Sequence, residues 1–359
     1  MKTALPELTS QPAPLLPPAH LESTDGTLTL SRAWPLPKDS EPLGSLAVEL
    51  RGPEGIRAGW WRSGAFNLLA EGEDPKLRML NRVVANGQDS QHTAVVSHRP
   101  GKRAVVRVDG SHGSTFIKVV KRGKASGILA GIQRAGSFDG PFRLPRVEEH
   151  TESTVTFSAL GGVSLHDPSV LGPDSWERAW TETVEAWAES VRSPRGTESA
   201  LVHRAEAEVG VLRHWLHMTW QYLEDADRTR HLIDDVSTKL LGLTEDRLVP
   251  AHRDLHDKQL MWSPQLGPGL LDVDTACLAN PALDVGNLRA HSLLRELQGL
   301  WTAQQAEAVR FSLDETAETC HIPRHAVALY EQAAHLRLGL VYSVRPQYAE
   351  IAAHLRQHC

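Results

Sequence analysis

The sequence predicts an α+β chain in which a small β-rich lobe precedes a larger helical lobe. Two textures point to it. Residues 93–121 hold three short runs, TAVVSH, RAVVRV and TFIKVVK, with the length and β-branched content of strands. From residue 174 onward, apolar residues instead recur at three- and four-residue steps, the spacing of one helix face. The change of texture falls at Gly161-Gly162.

At 359 residues the chain can bury one large core or two moderate ones. The net charge of −6 offers no global attraction to nucleic acid or to an anionic membrane. Cys277, Cys320 and Cys359 form no CxxC pair, so neither a disulfide framework nor a cysteine zinc site is indicated. Prolines interrupt the N-terminal stretch before a signal-peptide core can form, and no run approaches the length of a membrane span. A cytoplasmic location with reduced thiols is expected.

Along the chain, residues 1–44 read as a Pro-rich tail and 45–92 as a β-rich extension with Gly-containing turns. Residues 93–162 form the small lobe. RPGK (99–102) joins its first two strands, KASGILAGIQRAG (124–136) is a small-residue helix, and 147–160 supplies one or two further strands. Residues 163–359 form the helical lobe, with helices near 174–191, 199–224, 228–241, 284–297, 303–319, 324–342 and 346–357. Trp176, Trp180 and Trp187 share one face of the first of these, which reads as core and not as a stacking platform.

The chemistry concentrates in VPAHRDLHDKQLMW and the following GLLDVDTACLANPALDVGN. His252-Arg253-Asp254 lies in a polar loop. Gln259 follows five residues after Asp254, and Asp272 thirteen after that, at the end of an apolar run. Phosphoryl transfer to a hydroxyl needs one carboxylate to orient and deprotonate the acceptor and hard oxygen ligands for Mg²⁺. Asp254, Asp272 and the amide oxygen of Gln259 have that chemistry. HRDLH lacks the helical pattern that aligns two His for zinc. GKAS (123–126) lacks the first glycine of a Walker A loop.

The series HRDLHDKQ, LLDVD and LANPALDVGN resembles the catalytic and metal loops of the aminoglycoside phosphotransferase and choline kinase family, relatives of the protein kinases. The resemblance implies a two-lobed protein-kinase-like fold with ATP and Mg²⁺ between the lobes and a small-molecule hydroxyl as acceptor: an antibiotic, a sugar or an amino alcohol. It implies Asp254 as base, and Asp272 and Gln259 as metal ligands. His252 would support the loop, and Asp284 would tie the following helix to it. Upstream, Lys118 would face the phosphates and Arg99 and Gly101 of RPGK would lie over them. Ser158, Ala159 and Leu160 would be the hinge whose backbone meets adenine.

Two features depart from the family pattern, and the role of one further position is open. Gln259 stands where Asn is usual. The helix over 124–136 has no carboxylate to pair with Lys118, and Asp274 is either a second metal contact or a neighbour of Asp272. A nucleotide-binding pseudokinase or a partner-binding protein therefore remains the alternative reading.

Overall fold

The structure, a computed structural model, describes residues 15–24, 26–37, 44–86, 92–111, 113–195, 201–244 and 247–357. The sequence-based readings of residues 1–14 and of Cys359 lie outside them.

Two five-stranded antiparallel sheets build the N-terminal half. The first is a meander in chain order: β1 (His20–Ser23), β2 (Gly26–Pro35), β3 (Leu46–Gly52), β4 (Gly55–Arg62) and β5 (Ala65–Leu68). β1 and β2 correct the expectation of a loose tail over 1–44. The alternation Leu28, Leu30 supplies an apolar face, and both side chains are buried with Leu46, Val48, Leu50 and Trp61. The prolines that suggested a tail flank these strands and, at Pro35, end one.

After helix α1 (Leu80–Asn86) comes the second sheet, with β6 (His92–Arg99), β7 (Arg103–Gly110), β8 (Gly113–Val120), β9 (Val147–His150) and β10 (Thr154–Ser158) in the order β6-β7-β8-β10-β9. Helix α2 (Ala125–Arg134) packs Ala125 and Ile128 against Val120 and Val155 of this sheet. The three strands and the helix fall where sequence periodicity placed them.

The C-terminal lobe carries α3 (Pro173–Arg192), α4 (Ala205–Thr219), α5 (Ala226–Leu241), α6 (Ala282–Leu297), α7 (Ala303–Thr319), α8 (Arg324–Tyr342) and α9 (Ala349–Gln357). Short strands frame its loops: β11 (Val163–Ser164) with β14 (Leu260–Ser263) and β15 (Gly267–Leu270), and β12 (Val202–His203) with β13 (Val249–Ala251) and β16 (Cys277–Ala279). Trp176, Trp180 and Trp301 meet edge to face at centroid distances of 5.0–5.9 Å in the main core, as the tryptophan stripe predicted. No helix among the described residues is long and apolar enough to cross a membrane.

The first sheet bridges the two lobes. Glu49 on β3 accepts the His98 N–H of β6 at 2.7 Å, and Val344, just past α8, is buried in the first sheet's own core. Gln347 donates to the Leu30 carbonyl at 2.6 Å.

Candidate active site

The loop between β13 and β14 carries Asp254, and buried polar contacts set its path. Asp284, in the first turn of α6, accepts the backbone N–H groups of His252 at 2.8 Å and Arg253 at 2.9 Å, and the Trp187 indole N–H at 3.3 Å. Arg253 has φ +73°, a left-handed conformation that side chains resist. Two N–H groups held by one buried carboxylate keep the strained turn in place. Burial raises the pKa of Asp284, and His252 with the two backbone donors opposes that rise. The Nε2 of His252 lies 2.9 Å from the Leu271 carbonyl, so the strand that delivers Asp272 is tied to the same loop. Thr275 adds a bond to the His252 carbonyl at 2.9 Å.

Asp254 itself is 51% exposed, and its nearest cation is Arg337 on α8 at 3.8 Å. Its carboxylate is thus presented to solvent from a loop that buried hydrogen bonds hold in place.

Across the cleft, Lys118 on β8 pairs with both Asp272 and, at 3.1 Å, Asp274. This resolves the missing carboxylate of α2. Gly131 of that helix lies so close to the 272–275 turn that a Cβ would meet the Asp274 carbonyl, and the two aspartates of the turn take the place of a helix acid. Asp272 sits in the left-handed region at φ 59°. Burial would raise its pKa, but Lys118 overrides it and holds the carboxyl well below the usual range. Asp274, buried beside Asp272, is raised, with Lys118 opposing. One aspartate is firmly ionised, and its neighbour holds a proton more readily.

Gln259 lies at the end of a 3-10 turn (Asp257–Gln259), its amide nitrogen drawn 3.4 Å from His256 Nε2. His256 Nδ1 accepts the Lys258 N–H, and burial keeps the ring neutral, with a pKa pulled down to about 4. The ring proton therefore sits on Nε2, so the amide oxygen of Gln259 belongs on this side. A second lone pair on that oxygen remains for a cation. Asp272, Asp274 and Gln259 together offer the hard oxygen donors that Mg²⁺ prefers, so the residues fit the ion.

The hinge follows β10. Ser158 and Ala159 donate their N–H groups to Arg146 and Ser114 carbonyls, whereas Leu160 makes no backbone hydrogen bond among the described residues. Gly162 has φ +108°, and a Cβ there would lie 2.4 Å from the Trp262 carbonyl, so only glycine lets the hinge cross this strand. In the β6–β7 turn, the Gly101 N–H donates to Asp74 at 2.6 Å and Arg99 stacks over Trp34 at 5.2 Å, with burial and Arg103 pulling its pKa down to about 10. Both residues of RPGK are therefore engaged with the first sheet and α1 region instead of standing free over the cleft.

Asp257 escaped sequence reasoning. It is fully buried, receives two bonds from Arg295 at 2.9 Å and one from His166, and lies with His256 and His291 in a group whose ligand atoms fall within 4.8 Å. Its charge is already matched by Arg295, which speaks against a metal there. A loop carboxylate next to a lysine gave no sequence signal for a partner 38 residues away. A cavity of about 860 Å³ between α3 and α7 shares no residue with the cleft.

Residues 148–319 match the family described as phosphotransferase enzyme family. The chain carries a protein-kinase-like phosphotransferase fold. By structure it is similar to a choline kinase from Cryptosporidium parvum (TM-score 0.58, 12% identity, 77% of this chain and 93% of the other). It is also similar to a Streptococcus pneumoniae choline kinase (0.55, 12%, 79% and 100%) and an aminoglycoside phosphotransferase from Streptomyces rimosus (0.54, 17%, 76% and 99%). No curated protein matches the chain by sequence. In this kinase-like fold, β6–β10 with α2 are the small lobe and the helices from α3 onward the large one; the sheet β1–β5 precedes both in the chain.

Proposed function

We propose that the chain transfers the γ-phosphate of ATP to a hydroxyl of a small molecule. The observation that carries this reading is the exposed Asp254 on a strained loop whose His252 is held by Asp284 and tied to Leu271, the residue before Asp272. Asp254 orients the acceptor hydroxyl and takes its proton as the new O–P bond forms and the bond to ADP breaks. Asp272 and Gln259 would hold Mg²⁺, with Asp274 beside them; the ion neutralises charge on the triphosphate. Lys118 moves from its aspartates to share the phosphates, and the unpaired backbone of Leu160 is available to adenine. Most of the catalytic effect is positioning and electrostatic preorganisation.

The helix acid absent from α2 favours a second reading, a nucleotide-binding protein without turnover. ADP release from Mg²⁺-ATP, measured over aminoglycosides, other antibiotics, sugars and amino alcohols, separates the two. Acceptor-stimulated release that disappears in Asp254→Ala supports the kinase. Tight Mg²⁺-dependent ATP binding with no release under any acceptor supports the second reading, and no ATP binding sinks both.

A further inference from the structure

Arg337 is fixed beside the exposed carboxylate of Asp254. It lies on α8 in the helical lobe, and its Nη1 is 3.8 Å from Asp254 Oδ1. At that distance the two groups form an ion pair but not a hydrogen bond. The only hydrogen bond of the Arg337 side chain among the described residues runs from Nη2 to the side-chain oxygen of Asn287. Asn287, on α6 and 2% exposed, in turn donates to the Leu255 carbonyl at 2.7 Å. Leu255 follows Asp254 in the chain, so one buried amide fixes both the guanidinium and the backbone that carries the carboxylate.

A guanidinium has five N–H donors and accepts nothing. Nη2 is spent on Asn287, whereas Nη1 faces the Asp254 carboxylate across a gap with no hydrogen-bond partner of its own among the described residues. Other carboxylates of this lobe are committed elsewhere. Glu208, on the helix α4 that packs against α8, is buried and bonded to His203 at 2.9 Å. Of the acidic residues that sequence suggested for an amine-bearing acceptor, Asp225 pairs with Arg356, Asp227 with Arg230 and Asp235 with Lys239.

We propose that Arg337 is a specificity-determining residue whose Nη1 donates to an oxygen on the carbon next to the reacting hydroxyl. The acceptor is then a polyhydroxy compound or a hydroxy acid, and not an amino alcohol. This rests on the kinase reading and narrows it. The gap suits two oxygens on adjoining carbons, one against Asp254 and its neighbour against Arg337, at ordinary hydrogen-bond lengths of about 2.7–3.0 Å. An ammonium in the second place brings only donors to a donor and sets like charges together. Lys118 serves the phosphate end from the small lobe, while Arg337 enters from the helical lobe.

The test measures ADP release from Mg²⁺-ATP by the full chain with matched acceptors that differ in one neighbouring group: glycerol against serinol, and glycerate against serine. Sugars, ethanolamine and choline extend the two sets. Calorimetric titration with the same compounds, beside a non-hydrolysable ATP analogue and Mg²⁺, reads binding without turnover. The oxygen-bearing member of each pair should have the higher kcat/KM. Arg337→Met should lower that kcat/KM about ten- to hundredfold, mainly through KM, and level the preference. Arg337→Lys, which keeps the charge without the fork, should recover part of the loss.

Equal or better use of the amino members by the wild type overturns the inference and leaves the kinase reading standing. A uniform loss of kcat with every acceptor in Arg337→Met makes the residue a positioning or phosphate-neutralising group and overturns it too. So does failure of every oxygen-bearing probe to bind. Oxygen-bearing probes that bind the wild type and not Arg337→Met, with no turnover, support the contact and count against the kinase reading alone. Circular dichroism checks the fold of each variant; if Arg337→Met does not fold, the wild-type preference and Arg337→Lys decide. Use of glycerol over glycerate, or the reverse, separates the polyhydroxy compound from the acid.

Discussion

Gly131 of α2 and Asp274 meet backbone to backbone: a Cβ on the glycine would lie 2.2 Å from the aspartate carbonyl oxygen. Arg134, one turn on, donates to the Ala276 carbonyl at 2.9 Å, so the helix is tied to the end of the turn that bears Asp272. The small-lobe helix and the turn that bears Asp272 thus touch through a glycine.

Gly131→Ala tests that contact. Overpacking against backbone should destabilise the fold by about 1–3 kcal/mol and displace the 272–275 turn. Urea unfolding and Mg²⁺-ATP affinity should both weaken; an alanine variant with unaltered affinity would show that the turn does not depend on α2.

Asp284→Ala leaves the His252 and Arg253 N–H groups without their acceptor beneath a strained loop. A loss of about 2–4 kcal/mol is expected. Because the loop also carries Asp254, kcat should fall even at temperatures where the variant remains folded. Chemical denaturation beside single-turnover kinetics measures both.

Asp254 and Lys118 should separate by kinetic signature. On the proposed reaction Asp254→Asn removes the base and should lower kcat by about 10²–10⁴ while ATP affinity is kept. Lys118→Met should instead weaken ATP binding and, by freeing Asp272 of its cation, raise the pKa of that carboxyl. Equal loss of ATP affinity in both variants would contradict the division of roles.

His335 makes stability depend on pH. Burial, with Arg289 and His354 nearby, pulls its imidazole down to about 4 from 6.5. The unfolded chain therefore takes up the proton first as pH falls. The contribution of this group is complete above about pH 6.5 and is lost toward pH 4, by at most about 3 kcal/mol. His335→Gln should flatten the fall in urea midpoint across that window; an unchanged slope would assign the acid sensitivity to other groups.

The polar loop with Asp254 and Gln259 and the apolar run ending at Asp272 were legible in the sequence because such features are local, whereas a role for Asp284 came only from the resemblance. Helices α6, α7 and α8 and strands β6–β8 were legible for the same reason, since periodicity is a local property. Pairing over long separations was not. Lys118 reaches Asp272 across 154 residues and Arg32 reaches Ser97 across 65, and no spacing rule links such positions. Strands β1 and β2 were hidden because proline density outweighed a short Leu28–Leu30 alternation. By itself the sequence determined the lobes and the order of the chemical residues. The tertiary structure decided which charges face one another, because burial and electrostatic partnership depend on what the whole chain folds around each group.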